Sequence, residues 1–340
     1  CPGADVTVAL GCPKIGHFTF PGASVTGKLE IVDIGIPEGL DTEVSLELIT
    51  PELVGALLPA RPLEAHKGTF GRLLVVAGSR NYVGATLLAC SGAYRAGAGL
   101  VTLATARGVY SLVAARATET THLPLLETEA GGISSHAASQ VRGVLGEYAA
   151  MVIGCGLGQE PETRQFIQEL LLEDAALVHL PVVVDADALN ILAQVSDWHS
   201  KLKGRVLLTP HPGEMARLTR LSTERVQERR LESAREAAKE WGQVVVLKGA
   251  FTVIASPEGV TRISPFANPG LASAGTGDVL AGVIGGLLAQ GLSPGDAATC
   301  GVYLHGAAAE ELRKELGDAG LVASDLLPQI PRRIKALKTP

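Results

Sequence analysis

The chain lacks a surplus of positive charge: 29 lysines and arginines stand against 35 aspartates and glutamates, for a net charge of -6. Such a surface exerts no general pull on nucleic acid or another polyanion, although a local anion site stays open to it. Cysteines are few and odd in number, Cys1, Cys12, Cys90, Cys155 and Cys300, and no two form a Cys-x-x-Cys pair. That spacing indicates neither a disulfide framework nor a zinc site, and it leaves the thiols as small buried hydrophobes in a reducing compartment. No apolar run approaches the roughly 18 residues needed to cross a bilayer, and the start has no basic stretch leading into an apolar segment and cleavage site. The cytoplasm is therefore the expected location. Neither the phosphate-binding signature Gly-x-x-x-x-Gly-Lys-Ser/Thr nor the dinucleotide spacing Gly-x-Gly-x-x-Gly is met, and no low-complexity tract or short repeat is visible.

What remains is an ordinary globular composition, 46% hydrophobic and 19% charged, with only 4% aromatics but 40 glycines in 340 residues. Length alone allows roughly one or two domains. From about residue 51 to 336, strand-like runs at 73–77, 101–104, 151–153, 182–185, 206–208 and 244–247 alternate with helical stretches, which predicts a mostly parallel sheet covered on both faces. The clearest helix spans about 224–241, capped by Ser222 or Thr223, and its charged face reads as a solvated surface. Runs at 251–255 and 260–263 flank Ser256-Pro-Glu-Gly259 and predict a β-hairpin. Residues 1–50 differ: they hold two short β-like runs, 5–10 and 29–34, too little for a stable domain. A start at Cys1 suggests a piece cut from a longer polypeptide.

The most informative segment is Asn268-Pro-Gly-Leu-Ala-Ser-Ala-Gly-Thr-Gly-Asp278, which runs directly into an apolar helix over 279–288. The first amides of a helix lack internal partners and lie at the positive end of its dipole, while Gly275 and Gly277 let a phosphate approach the backbone. Asp278 could simply cap that helix. A carboxylate beside a phosphate site otherwise serves to handle a proton or a metal, and a general-base role for a hydroxyl that receives a phosphoryl group follows.

Other polar groups collect at strand ends. His211 and Glu214 sit in Thr209-Pro-His-Pro-Gly-Glu214; Asp185 and Asp187 sit in Asp185-Ala-Asp-Ala-Leu-Asn190, where they could orient a hydrated Mg²⁺ or bond a ribose hydroxyl, or Asp187 could cap a helix. Lys248 leaves an apolar strand beside Gly249 and could meet a phosphate or remain an edge lysine. Gly154-Cys-Gly-Leu-Gly158 is either a tight turn or a close backbone approach to a ligand. His66-Lys-Gly-Thr-Phe-Gly71 and the segment from Gly78 to Ala85 could also line a site. Together these predict one shared crevice.

Read as a set, His66-Lys-Gly-Thr-Phe-Gly71, Asp185-Ala-Asp-Ala-Leu-Asn190, Thr209-Pro-His-Pro-Gly-Glu214, Lys248-Gly-Ala-Phe-Thr252 and Asn268-Pro-Gly-x6-Gly-Asp278 resemble the NAD(P)H-hydrate dehydratase family, in family order over residues 52–335. The resemblance implies an α/β, ribokinase-like fold with a mostly parallel central sheet and helices on both faces. It implies repair of hydrated NADH or NADPH with ADP, or ATP, as co-substrate and Mg²⁺ as cofactor. Asp278 would be the catalytic base. Ala85, Gly158, His211 and Asp278 would contact the hydrated cofactor, and Lys248, Gly249, Ala250, Phe251, Thr252, Ala274, Gly275, Thr276 and Gly277 the nucleotide; metal ligands are left unassigned. A homo-oligomer, a tetramer by resemblance, is expected.

Residues 5–37 look like the tail of an NAD(P)H-hydrate epimerase domain, which divides the chain into a remnant and linker at 1–50 and a dehydratase domain at 51–340, with no epimerase activity expected. Two motifs depart from the family pattern: Ala274-Gly-Thr-Gly-Asp278 stands for Gly-Gly-Ser-Gly-Asp, and Thr209 for Asn. A ribokinase-like kinase of a small vitamin precursor is the nearest alternative, and a silent nucleotide-binding module a more distant one.

Overall fold

Runs of Val, Leu and Ile without polar alternation need cover on both faces, and these runs receive it. The computed structural model of the chain describes residues 2–37, 39–40, 44–173 and 175–338. Its main sheet takes β3 (Leu46–Leu48), β4 (Arg72–Val76), β5 (Leu100–Ala106), β6 (Thr121–Leu125), β7 (Ala150–Ile153), β8 (Val182–Val184), β9 (Val206–Leu208), β10 (Val244–Leu247), β11 (Val253–Ala255) and β12 (Thr261–Ile263). The order is β3-β12-β11-β10-β9-β8-β7-β4-β5-β6, parallel throughout except for the reversed β11. The expected α/β architecture and hairpin are present, the hairpin closing through the Gly259 amide onto the Ser256 carbonyl.

Two edge strands escaped the sequence reading. β6 carries Pro124, which is tolerated in a ladder only at an edge, and so it has no strand signature. β3 is three residues long and pairs with β12, its Glu47 bonded to Arg262 at 2.8 Å. The main sheet thus reaches back to Leu46, ahead of the boundary expected at 50. The helix expected over 224–241 is two helices, Thr223–Glu228 and Arg230–Trp241, broken at Arg229 (φ -128°, ψ 45°). Before β3, the strands β1 (Val6–Leu10) and β2 (Lys28–Val32) pair in parallel as a separate sheet.

One helix lies at the centre. Thr276–Ala289, all small and aliphatic after Asp278, is buried along nearly its whole length between helix Val83–Arg95 and the strands β4 and β7. Glycines bring the two helices together: a Cβ at Gly92 would come within 2.6 Å of the Val279 carbonyl, and one at Gly282 would collide with the carbonyl of Ala89. The approach fixes the start of Thr276–Ala289 over the carboxyl ends of the strands. Among the described residues, no helix is long and apolar enough to cross a membrane. Cys90, Cys155 and Cys300 are buried as expected, whereas Cys12 is exposed and Cys1 lies outside the described residues.

Candidate active site

In chain order the parallel strands run outward from β4 to β5 and β6, then return to β7 on the other side of β4. The loops leaving β4 and β7 therefore part, and such a reversal is where α/β sheets form ligand crevices at their carboxyl ends. Five adjacent strand ends, those of β4, β7, β8, β9 and β10, lead into Gly78, Gly154, Asp185, Thr209 and Lys248. Four of the five expected motif groups converge there. The fifth, His66 to Gly71, does not: it precedes β4 at the opposite edge, a Cβ on Gly71 would collide with the Ala289 carbonyl at the far end of the central helix, and His66 Nδ1 accepts from the Gly68 amide.

A charged network ties the strand ends together. Asp185 Oδ1 accepts from Lys248 Nζ at 2.6 Å and from Thr209 Oγ1 at 2.7 Å. Glu214 Oε2 lies 3.9 Å from Lys248 Nζ and accepts the His211 amide at 2.7 Å. Burial raises the Glu214 carboxyl to about 7 against the pull of Lys248. For Lys248 burial acts downward, but Asp185 and Glu214 outweigh it and the ammonium is held above its ordinary value. His211 is half exposed, and its Nδ1 accepts from the Gly213 and Glu214 amides at 3.0 and 3.3 Å. Burial, then Lys248 and Arg217, lowers its pKa, so the ring is neutral and caps its helix while an edge stays open to a ligand.

The anion loop completes the site. Gly275 takes φ 89°, a left-handed conformation costly for residues with a Cβ, and no side chain caps the helix that follows. The Thr276 amide is bonded to the Ser273 carbonyl at 3.4 Å, which leaves the amides of Gly277 and Asp278 for an outside acceptor. A Cβ on Gly277 would lie 3.5 Å from Lys248 Nζ and 4.0 Å from Asp185 Oδ2, so the ammonium and the positive helix end face one space. Asp278 stands in the first turn of that helix, a carboxylate oxygen within 4.8 Å of the Cys155 Sγ and of a carboxylate oxygen of Asp185. Burial raises Asp278 to about 6, and the charge of Asp185 adds to the rise. Thr276 is turned inward: its hydroxyl donates to the Leu271 and Ser273 carbonyls, both at 2.9 Å.

Of the nine residues expected at the nucleotide, Lys248, Gly249, Ala250, Thr252, Thr276 and Gly277 line one cavity of about 210 Å³. Ala274 and Gly275 shape the turn behind it, Gly275 packing against Leu88. Phe251 points away, its ring stacked edge-on against Phe18 at 5.6 Å. On the other side of Asp278, the Gly154–Gly158 turn lies over the start of helix Val83–Arg95, where a Cβ on Gly156 would come within 2.9 Å of the Ala85 Cβ. The Gly158 amide donates to Asp187 Oδ2 at 2.9 Å, so Asp187 pins this turn instead of capping its own helix.

Three contributors escaped the sequence reading. Cys155, a buried thiol, brings its Sγ within 4.8 Å of a carboxylate oxygen of Asp278, and burial followed by the charges of Asp278 and Asp185 keeps it protonated. Arg230, on the helix whose charged face reads as a solvated surface, donates to the Leu247 and Lys248 carbonyls at 3.0 and 3.1 Å, with burial drawing its guanidinium down to about 10. His305 on helix Pro294–Leu316 has Nε2 2.9 Å from the Thr276 carbonyl; burial lowers it to about 4 and keeps it neutral. Only the glycines around Cys155 offered a hint in the sequence.

The sheet order, the crevice at its reversal and the uncapped helix start beside a lysine define an α/β protein of the ribokinase-like class. The chain matches the profile of NAD(P)H-hydrate dehydratase over residues 73–332. It belongs to that family. It is 45% identical over 340 residues to a bifunctional NAD(P)H-hydrate repair enzyme of Moorella thermoacetica, covering 99% of this chain and 63% of the relative. It is 38% identical to an ADP-dependent (S)-NAD(P)H-hydrate dehydratase of Bacillus subtilis, covering 84% of this chain and 98% of the relative. The crystal structure of an ADP/ATP-dependent NAD(P)H-hydrate dehydratase from Bacillus subtilis, obtained with ATP and Mg²⁺, superposes with a TM-score of 0.74 at 36% identity, covering 86% of this chain and 99% of that one. The chain thus spans less than two thirds of the Moorella relative and nearly all of the Bacillus proteins' length.

Proposed function

We propose that the chain returns hydrated NADH and NADPH to the dihydronicotinamides with ADP or ATP as phosphoryl donor, and that Asp278 is the base. The carrying observation is the position of Asp278 in the first turn of an uncapped helix, with Lys248 facing the same space. Hydroxide is a poor leaving group and phosphate a good one. Asp278 takes the proton of the C6 hydroxyl as its oxygen attacks the terminal phosphorus and the bond to the donor breaks, releasing AMP from ADP or ADP from ATP. Electrons on the ring nitrogen then expel phosphate from C6, and loss of a C5 proton restores the ring double bond. A carboxylate raised to about 6 is still ionised at neutral pH and is a stronger base than an ordinary aspartate.

The helix amides and Lys248 hold the charge of the transferring group, while Ala85, Gly158 and His211 contact the hydrated ring's nucleotide on the far side of Asp278. Magnesium fits as an ion carried on the donor's phosphates. Among the described residues the converging ligand atoms belong to Cys155, Asp185 and Asp278, a set whose thiol suits no hard cation and whose Asp185 is already bonded to Lys248 and Thr209. Carried on the donor's phosphates, such an ion would shield their charge. Residues 1–50 belong in this reading to the end of a preceding epimerase domain and its linker, consistent with matches to bifunctional relatives along 99% of the chain.

The test supplies hydrated NADH with ADP or ATP and follows the dihydronicotinamide absorbance together with phosphate release. Recovery of NADH with stoichiometric phosphate is expected; accumulation of a stable phosphorylated product would identify a kinase instead. Asp278→Asn should lower turnover by about 10²- to 10⁴-fold while leaving nucleotide affinity intact.

A further inference from the structure

The 248–252 loop is a thin wall. Its inner face, Lys248, Gly249, Ala250 and Thr252, lines the cavity of about 210 Å³. Its outer face carries the Phe251 ring, which with Ala250 and Arg230 borders a second hollow of about 520 Å³ whose opposite side is Ile15, Phe18 and Phe20. Phe18 meets Phe251 edge-on with planes at 78°, and Phe20 lies at 6.1 Å. The segment is itself seated, because Pro13, Ile15 and Phe18 also border Leu46, Leu48 and Ile263 at the edge of the main sheet.

Backbone conformation gives that contact a purpose. Phe251 has φ 52°, a region that bulky residues rarely adopt and that persists only where neighbours impose it. The Phe251 amide is held by the Phe266 carbonyl at 2.8 Å, and Arg230 holds the Leu247 and Lys248 carbonyls. Toward solvent, the ring partners of Phe251 among the described residues are Phe18 and Phe20.

We propose that residues 15–20 clamp the nucleotide loop from behind, which makes Phe18 and Phe20 positioning residues for the phosphoryl donor although neither lines its cavity. The inference rests on the reading of this loop as the nucleotide site. Without the clamp the loop samples other conformations, and apparent affinity falls by the fraction of time it is misplaced.

The experiment measures the Kd of Mg·ADP by calorimetry, with KM and kcat for NADH recovery, in the full chain and its variants. Phe18→Ala should raise Kd and KM by about three- to tenfold, the worth of an edge-on aromatic contact, and leave kcat at saturating nucleotide within about twofold. Phe18→Tyr, which keeps the ring, should restore wild-type values. In a Phe251→Ala background, Phe18→Ala should add nothing further. Phe20→Ala, at a residue 63% exposed and so without consequence for folding, should shift Kd in the same direction by a smaller factor. Wild-type Kd values in Phe18→Ala and Phe20→Ala overturn the clamp, as does an equal loss with and without Phe251. A wild-type chain that binds neither ADP nor ATP overturns the nucleotide reading, and the clamp with it.

Discussion

At the scale of the residue, the half-buried Asp278 carboxylate ties activity and stability to pH in opposite senses. As a base it must be ionised, so the rate should fall tenfold per pH unit below about 6, the value to which burial raises it. For stability, a carboxyl raised from an ordinary 3.8 to about 6 binds its proton more tightly folded than unfolded. Its contribution is therefore fully present below 3.8, is lost as pH rises through 6, and at pH 7 leaves a cost of up to about 3 kcal/mol. Asp278→Asn removes the charge. Its melting temperature should exceed that of the wild type at pH 7, with the gain shrinking toward pH 4; equal gains at both pH values would show that the carboxylate's charge is not the cause. The sequence made this aspartate legible because the glycines before it have few other uses. It could not show Cys155 or Asp185 beside it, because each comes from a different strand end.

At the scale of the element, the site depends on how closely helix Thr276–Ala289 approaches helix Val83–Arg95. A Cβ on Gly282 would strike the Ala89 backbone carbonyl, which cannot turn aside as a flexible side chain would. Gly282→Ala should therefore destabilise by about 1–3 kcal/mol despite the gain of up to about 1 kcal/mol in helix propensity. Gly84→Ala provides the contrast, since no atom lies within 4 Å of its added Cβ. Urea unfolding of the two variants should give shifts of opposite sign or clearly different size, and Gly282→Ala should also lose NADH recovery as Asp278 is displaced. The apolar strands and this helix were readable because hydrophobic runs bounded by glycine have few alternatives. β6 with its Pro124 and the three-residue β3 were not, because a sheet neighbour decides each, and the break at Arg229 leaves no Gly or Pro in the sequence to mark it.

At the scale of the whole molecule, the sequence names the motifs and the sheet order assembles them. β8, β9 and β10 are neighbours, and only that adjacency lets Lys248, Thr209 and Asp185 meet, 63 residues apart for the lysine and aspartate. His66 to Gly71 has an equally suggestive pattern but enters β4 from the other edge and misses the crevice. The Lys248–Asp185 pair, with side chains 17% and 2% exposed, is buried enough for its rupture to be costly. Lys248→Met leaves Asp185 with a buried, uncompensated charge and should destabilise by about 3–5 kcal/mol, in addition to weakening nucleotide binding. Adding Asp185→Asn removes the orphaned charge and should recover most of the stability but none of the affinity. Urea titration of the two single variants and the double variant closes the cycle. A cost below about 1 kcal/mol for Lys248→Met would mean that hydrophobic packing alone holds the three strand ends in register, and that the lysine serves only the ligand.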